Sequence, residues 1–245
     1  MSKNRKIRLY IDFDIKQDNL IDLNNDQNHY ISNVMRCKNG DVIKIFNEAC
    51  GEWNGIIVAK DNRVKVMTKC LIRTYQPKRD KIVLAFSPTK KYGEFSVEKA
   101  TEMGVNHIIP IKCERSVVDK INYNRYSKAI IEAAEQCGRI DLPKLSDMIK
   151  VYDLKKHLNS LYPNEQVQFL LCDLGKSPLD VANDSYIQCI IVGPEGGFDQ
   201  EDYKFFNQIN FQNLNLGEIV LRAETACIAS IATVKLLYKP ARKCQ

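Results

Sequence analysis

The hydrophobic periodicity of this 245-residue chain changes once, between residues 70 and 82, and that change governs what it can fold into. Before it, apolar residues come in short strand-like runs. Arg8 to Phe13, Val42 to Phe46, Trp53 to Ala59 and Arg63 to Cys70 read as strands, and Asp61-Asn62 is the turn that makes the last two a hairpin. One short helix is predicted over His29 to Cys37, with Asn28 as N-cap and a stop before Asn39-Gly40. A small sheet with one short helix suits a binding module better than a catalytic core. Residues 73–81, RTYQPKRDK, are polar and aperiodic, contain a proline, and read as a linker.

From Ile82 onward, strand-like and helix-like segments alternate. Ile82 to Phe86, Val105 to Ile111, Val167 to Cys172, Cys189 to Val192 and Asn213 to Leu216 read as strands. Helices are predicted around Phe95 to Met103, over Asn124 to Cys137, over Asp199 to Gln208 and over Arg222 to Tyr238. In the second of these, Tyr126, Ala129, Ile130, Ala133, Ala134 and Cys137 fall at three- and four-residue spacings, and Gly138 closes the helix. Strands alternating with helices imply an α/β domain with a mostly parallel sheet. The expected division is therefore a β-rich domain over 1–72, a linker over 73–81 and an α/β domain over 82–245.

Several classes are excluded or disfavoured. No run of eighteen apolar residues exists, so no transmembrane helix is expected. The basic N-terminus is not followed by an apolar stretch, because Asp12, Asp14 and Lys16 interrupt it, and no secretory signal is read. Nine cysteines form no C-x-x-C pair, and His29, His107 and His157 have no metal-ligand spacing. A disulfide framework and a metal site are therefore not expected, and a reducing cytoplasm is the natural compartment. The net charge of +6 comes wholly from the first 150 residues, which carry 27 Lys and Arg against 19 Asp and Glu. A positive field over one part of a protein attracts polyanions, RNA among them.

Two strand-to-helix loops carry the strongest chemical signals. Val192 runs into Gly193, Pro194, Glu195, Gly196, Gly197 and Phe198, and then into a helix that Asp199 would cap. Glycines there allow positive φ and close approach of a ligand to the backbone. Ligands of open α/β sheets sit at the carboxyl ends of strands, where this loop must lie. It is neither a P-loop nor a G-x-G-x-x-G fingerprint. The acidic helix start, with Glu201 and Asp202, favours a neutral or cationic ligand over a nucleotide triphosphate. The second loop passes from Leu216 and Gly217 through Val220 and Leu221 to Arg222, Ala223 and Glu224. A cation at a helix start opposes the helix dipole, so Arg222 points either to an ion pair or to contact with phosphate or developing negative charge. Arg139 after a helix C-terminus is adequately explained as a capping charge, and His29 with Arg36, two turns apart, as a solvated face.

In order along the chain, these segments resemble the 16S ribosomal RNA uridine-N3 methyltransferase family. That family lies within the SPOUT class of trefoil-knotted, S-adenosylmethionine-dependent RNA methyltransferases. The residues that carry the resemblance begin with Arg8 to Ile11, His29 with Val34 to Arg36, and Gly40-Asp41. They continue with Glu98 to Val105, Glu114 to Ser116, Glu132 to Arg139, Gly193 to Phe198, Leu216-Gly217 and Val220 to Ala226. The resemblance implies a PUA-like RNA-binding N-terminal domain and a C-terminal trefoil knot, an exception to the usual unknotted rule. It implies S-adenosylmethionine held against Leu171, Cys172, the strand end running to Leu174, Gly193, Glu195, Gly196, Gly197, Leu216, Gly217, Val220 and Leu221. It also implies a homodimer and a uridine substrate in the decoding region of the small ribosomal subunit. Arg222 becomes the candidate stabiliser of charge on the uridine oxygens, and Glu224 the candidate base or the group orienting Arg222. Arg8, Arg36, Arg115 and Arg139 become RNA-contact candidates. One departure is Glu218, where the family usually has a basic residue. The same residues also fit a tRNA ribose methyltransferase of this class, a non-catalytic ribosome-assembly protein or a small-metabolite binder.

Overall fold

The computed structural model describes residues 4–60, 63–77, 81–173 and 187–237. Two compact units are present. The first comprises residues 1–77 together with 134–142, and the second comprises 78–133 and 143–245. The β-rich unit therefore extends past residue 72 and takes in a stretch from far along the chain. Neither feature is visible in local sequence pattern. The Asp61-Asn62 turn, residues 78–80 of the linker, Leu174 and the Tyr238 end of the last helix lie outside the described residues.

In the first unit, β1 (Asn4–Tyr10), β2 (Leu20–Asp22), β3 (Val42–Asn47), β4 (Gly51–Lys60) and β5 (Arg63–Arg73) form a sheet in the order β1-β3-β4-β5-β2. The β1–β3 pair is parallel and the other pairs are antiparallel. Alternate residues of these strands point inward, so Leu9, Ile43, Ile45, Ile57 and Val66 share one apolar core with Ile31. Helix α1 (Asn25–His29) starts earlier than predicted because Asn24, not Asn28, caps it. Asn24 and Gln27 form a reciprocal capping box, with Asn24 Oδ1 accepting from the Gln27 N–H at 2.9 Å. The helix continues as a π-helical turn over Tyr30–Val34 and ends at Arg36, which has φ of 50°. The left-handed residue that closes it is thus Arg36 rather than Gly40.

In the second unit, β6 (Lys81–Phe86), β7 (His107–Lys112), β8 (Lys144–Leu145), β9 (Ile149–Lys150), β10 (Val167–Cys172), β11 (Ile187–Val192) and β12 (Gln212–Asn213) form an all-parallel sheet. Its order is β12-β10-β11-β6-β7-β8, with β9 paired to β7. The helices are α2 (Gly93–Glu102), α3 (Tyr123–Cys137, whose last residues belong to the first unit), α4 (Leu154–Leu161), α5 (Gln200–Ile209) and α6 (Ala223–Leu237). Strands buried on both faces read as continuous apolar runs, which is why Ile187–Val192 is buried throughout. The expected strand at Asn213 to Leu216 is shorter, because only Leu170 and Leu171 offer it a partner. Beyond β12 the chain returns to the middle of the sheet, where α6 packs on α2, β6 and β11. That return carries residues 214–222 across the strand ends.

At the amino end of β7, His107 is 2% exposed. Its Nε2 lies 2.7 Å from Ser146 Oγ, which is 2.8 Å from His157 Nε2, and its Nδ1 lies 3.2 Å from the Tyr162 hydroxyl. Burial, with smaller effects from His157 and Lys144, pulls the imidazole down to about 4. Between that value and the unfolded value of about 6.5, the unfolded chain binds the proton more tightly, so stability is lost as pH falls. We expect His107 to cost the second unit about 2 kcal/mol between pH 7 and pH 5. Urea titrations followed by circular dichroism at both pH values check this, and His107→Gln should remove most of the difference.

Candidate active site

The two glycine loops meet at the carboxyl ends of β10 and β11 and enclose a cleft of about 520 Å³. Its floor and near wall are Cys172, Asp173, Val192 and Gly193. The segment Leu216 to Arg222, apart from Glu218, forms the opposite wall with Ala223 and Ala226 of α6. Pro194, Glu195, Gly197 and Phe198 complete the rim.

Local chemistry shapes the 193–199 loop. The Gly197 N–H donates to the Pro194 carbonyl at 2.9 Å, and Gly197 has φ of 72°, so glycine suits this tight turn. Asp199 caps α5 as predicted, accepting from the Glu201 N–H at 3.3 Å, while Asp202 accepts from the Asp199 N–H at 2.9 Å. The Glu201 N–H and, in smaller part, Arg115 hold the Asp199 carboxyl below the usual carboxylate range. Phe198 packs edge-on against Phe206, with centroids 4.9 Å apart. A Cβ on Gly193 would lie 2.7 Å from that Phe198 ring. Gly193→Ala must therefore displace either the loop or its aromatic anchor. We expect it to weaken S-adenosylmethionine binding at least about tenfold, the equivalent of about 1.4 kcal/mol, as measured by calorimetry. Unchanged affinity would mean that the loop does not touch the ligand.

The predicted site residues separate into those that reach the cleft and those that do not. Cys172, Gly193, Glu195, Gly197, Leu216, Gly217, Val220, Leu221 and Arg222 line it. Leu171 is fully buried in the core one residue before the strand end, so the alternation of the strand turns it away. Gly196 faces Arg115 instead, where a Cβ would stand 3.3 Å from the Arg115 Cβ. Glu224 is 7% exposed, lies behind the wall, and its Oε2 has no hydrogen-bond partner among the described residues. Ala223 and Ala226 were not anticipated. Their three-residue spacing at a helix start, with small side chains admitting a ligand, was the available signal. Burial pushes the Cys172 thiol up to about 12, so it is a neutral wall residue and no nucleophile.

The four RNA-contact candidates have different fates. Arg8 is held in the interior of the first unit: its Nε donates to Glu52 at 2.6 Å, and its terminal nitrogens donate to the Ala134 carbonyl at 2.6 Å and the Arg139 carbonyl at 2.9 Å. The guanidinium also lies 4.0 Å from the Phe46 ring centroid. Arg139 is similarly held by Asp141 at 2.5 Å and is mostly buried. Arg115 lies on the second unit, donating to the Gly196 carbonyl at 3.2 Å and to Asp199 at 2.9 Å. It braces the cleft loop. Arg36 is exposed on the first unit.

A parallel sheet with a glycine-walled cleft at its strand ends, in a chain that also carries a small β-rich unit, is the architecture expected of a SPOUT RNA methyltransferase. The comparisons agree. The family model for an RNA methyltransferase domain matches residues 76–235, and that for an RNA methyltransferase PUA domain matches residues 23–66. The ribosomal RNA small subunit methyltransferase E of Rickettsia conorii is 32% identical over 240 residues, covering 94% of this chain and 95% of its own. The Mesomycoplasma hyopneumoniae protein of the same name is 29% identical, covering 87% and 92%. A Legionella pneumophila methyltransferase solved with bound S-adenosylmethionine superposes with a TM-score of 0.82 at 26% identity, covering 95% and 98%. The Neisseria gonorrhoeae ribosomal RNA small subunit methyltransferase E shares the fold at a TM-score of 0.83 and 24% identity, over 95% of this chain and 98% of its own. This chain belongs to the ribosomal RNA small subunit methyltransferase E family.

Proposed function

We propose that the chain transfers the methyl group of S-adenosylmethionine to N3 of a uridine in the decoding region of small-subunit 16S ribosomal RNA. The observation that carries this reading is the cleft itself, with Arg222 on its lip. Its fit to the cofactor rests on three features. The volume is that of a small-molecule site. Val192, Leu216, Ile219, Val220, Leu221, Ala223 and Ala226 offer apolar wall for an adenosyl group, while Gly193, Gly197 and Gly217 let the ligand approach backbone. Asp173 and Glu195 add acidic groups to the lining, of the sign that attracts a cofactor carrying a sulfonium and an ammonium. When bound, S-adenosylmethionine supplies an activated methyl electrophile on a sulfonium.

The work left to the chain's own residues is positioning and charge. Uridine N3–H is a weak acid, so its proton must leave or the resulting anion must be stabilised. N3 lies on the Watson–Crick edge, so the base must be unpaired or flipped. Arg222 is exposed on the cleft wall and makes no ion pair among the described residues, so its guanidinium is available to charge developing on O2 or O4. Glu224 follows two residues later in the first turn of α6, where the helix dipole favours a carboxylate. Glu224 is buried and does not line the cleft, which weighs against its taking the proton directly.

The homodimer reading is supported by apolar side chains left in solvent: Ile219 at 78%, Val220 at 74% and Leu236 at 73% exposed. The cytoplasmic reading is supported by the free thiols of all eight described cysteines, and by the lack of a helix among the described residues long and apolar enough to cross a membrane. Arg36 is the arginine that best retains an RNA-contact role in the first unit.

The test is methyl transfer from labelled S-adenosylmethionine to small subunits from cells lacking this modification, followed by nucleoside analysis. N3-methyluridine in 16S RNA is the expected product. Label in ribose, or cofactor binding with no transfer to any assembly state of the subunit, would overturn the reading.

A further inference from the structure

Outside the cleft, the second unit carries a cationic rim that none of the site residues above explains. β6, β7 and β11 are parallel, so the segments following them leave the sheet at one end. These segments are bonded together. The Ser87 N–H donates to the Val192 carbonyl at 2.9 Å, Ser87 Oγ lies 2.8 Å from Ser116 Oγ, and Arg115 reaches the 193–199 loop. The segment after β6 presents Lys90 and Lys91, both exposed, and the segment after β7 presents Lys120. Lys112 pairs with Asp119 at 2.5 Å. That carboxyl sits below its usual range, first through Lys112 and in smaller part through Lys120 and Lys90. Glu94 pairs with Arg125 at 3.0 Å, and Glu114 accepts from the Tyr152 hydroxyl at 2.8 Å. Beside Lys120, residues Ile121 to Asn124 line a shallow hollow, and Tyr123 is 45% exposed with its hydroxyl donating to the Leu145 carbonyl at 3.2 Å.

Lysines in excess over acids attract a phosphate backbone, and an exposed aromatic ring offers a surface on which an unstacked base can lie. Val117, 54% exposed, is a further apolar side chain left open on the segment after β7, but the exposed lysines around it favour a polyanion over a folded protein, whose interface centres are poor in charge. We propose that Lys90, Lys91, Lys120 and Tyr123 form a docking track for the single-stranded RNA that flanks the target uridine. The track rests on the proposed RNA substrate. The segments that carry it are bonded to the cleft loop through Arg115, Ser87 and Ser116, so the track and the cleft share one end of the sheet.

The experiment compares the wild-type protein with Lys90→Glu/Lys120→Glu, Tyr123→Ala and Tyr123→Phe. All the altered side chains are exposed, and unchanged S-adenosylmethionine affinity reports an intact cleft. With short single-stranded oligouridylate as probe, the lysine variant should flatten the dependence of log affinity on log salt by about 0.7 for each phosphate it no longer neutralises. With small subunits, KM should rise at least about tenfold while kcat stays within about twofold, since the lysines hold RNA and do no chemistry. Tyr123→Ala should raise KM, and Tyr123→Phe, which keeps the ring, should restore it. An unchanged salt slope together with unchanged KM in the lysine variant would overturn the track. The oligouridylate measurement is independent of methyl transfer, so failure of the uridine-N3 reading and failure of the track are separately visible.

Discussion

Arg222→Ala should lower kcat for methyl transfer about 10²- to 10³-fold, the cost of removing one preorganised donor from developing negative charge. Affinity for S-adenosylmethionine should change little, because most of the cleft wall on that side is apolar, from Leu216, Ile219, Val220, Leu221, Ala223 and Ala226. The physical argument is one of placement. The Arg222 carbonyl accepts the Ala226 N–H at 2.8 Å, so the residue stands at the first turn of α6, where a cation is disfavoured by the helix dipole. No carboxylate among the described residues compensates it. A charge held at an unfavourable point and open to the cleft is available to a ligand. Arg222→Lys should recover only part of the loss, since an ammonium lacks the planar fork that can address two oxygens. Full turnover in Arg222→Ala, with normal cofactor binding, would remove Arg222 from the chemistry.

Glu52→Ala should destabilise the first unit by about 3–5 kcal/mol, the range for stripping one partner from a buried ion pair. Glu52 is 1% exposed, and its carboxylate accepts Arg8 Nε at 2.6 Å and Arg73 Nε at 2.9 Å, with Lys44 Nζ at 3.5 Å. Without it, the largely buried guanidinium of Arg8 would face the interior uncompensated. Burial works to raise the Glu52 carboxyl, but the hydrogen bonds from Arg73 and Arg8 prevail and hold it below its ordinary value. A depressed folded value means that this stabilisation is full above the unfolded value of about 4.3 and is lost as pH falls through the folded one. The chain's one tryptophan, Trp53, is the next residue on β4, and its indole donates to the Cys50 carbonyl at 2.8 Å. Its fluorescence therefore reports unfolding of this unit. A midpoint in urea within error of wild type would show that Glu52 is not the anchor of the three cations. Arg8→Ala should behave similarly, and for the same reason should act on stability before it acts on RNA.

Much of the second unit was legible because its signals are local. Short apolar runs place β6, β10 and β11, the last closed by Gly193. Three- and four-residue spacing places α3, and Asp199 caps α5 through atoms only two or three residues away. The glycine loops were legible as a site for the same reason: a strand that ends in glycine and re-enters as a helix must lie at the sheet's carboxyl edge. Less was readable in the first unit. Asn24 and Asn28 are both plausible caps, and the choice fell to whichever had a glutamine three residues on. Residues 134–142 show nothing in their own pattern that assigns them to a β-rich unit, because that assignment is made by carbonyls accepting from Arg8, some 126 residues away in sequence.

The sequence by itself determined the two-part organisation, the parallel α/β class, the two glycine loops that line the cleft and the family, since each depends on residue types at short, fixed spacings. Tertiary structure alone decided what the charges do. Arginines look alike in a sequence, yet Arg8 and Arg139 are neutralised inside a unit, Arg115 braces a loop and Arg222 opens onto a cleft. It also decided that Glu224 is buried and does not line the cleft. The reason is that a charge acts through whatever lies within a few ångströms of it, and chain folding, not chain order, selects those neighbours.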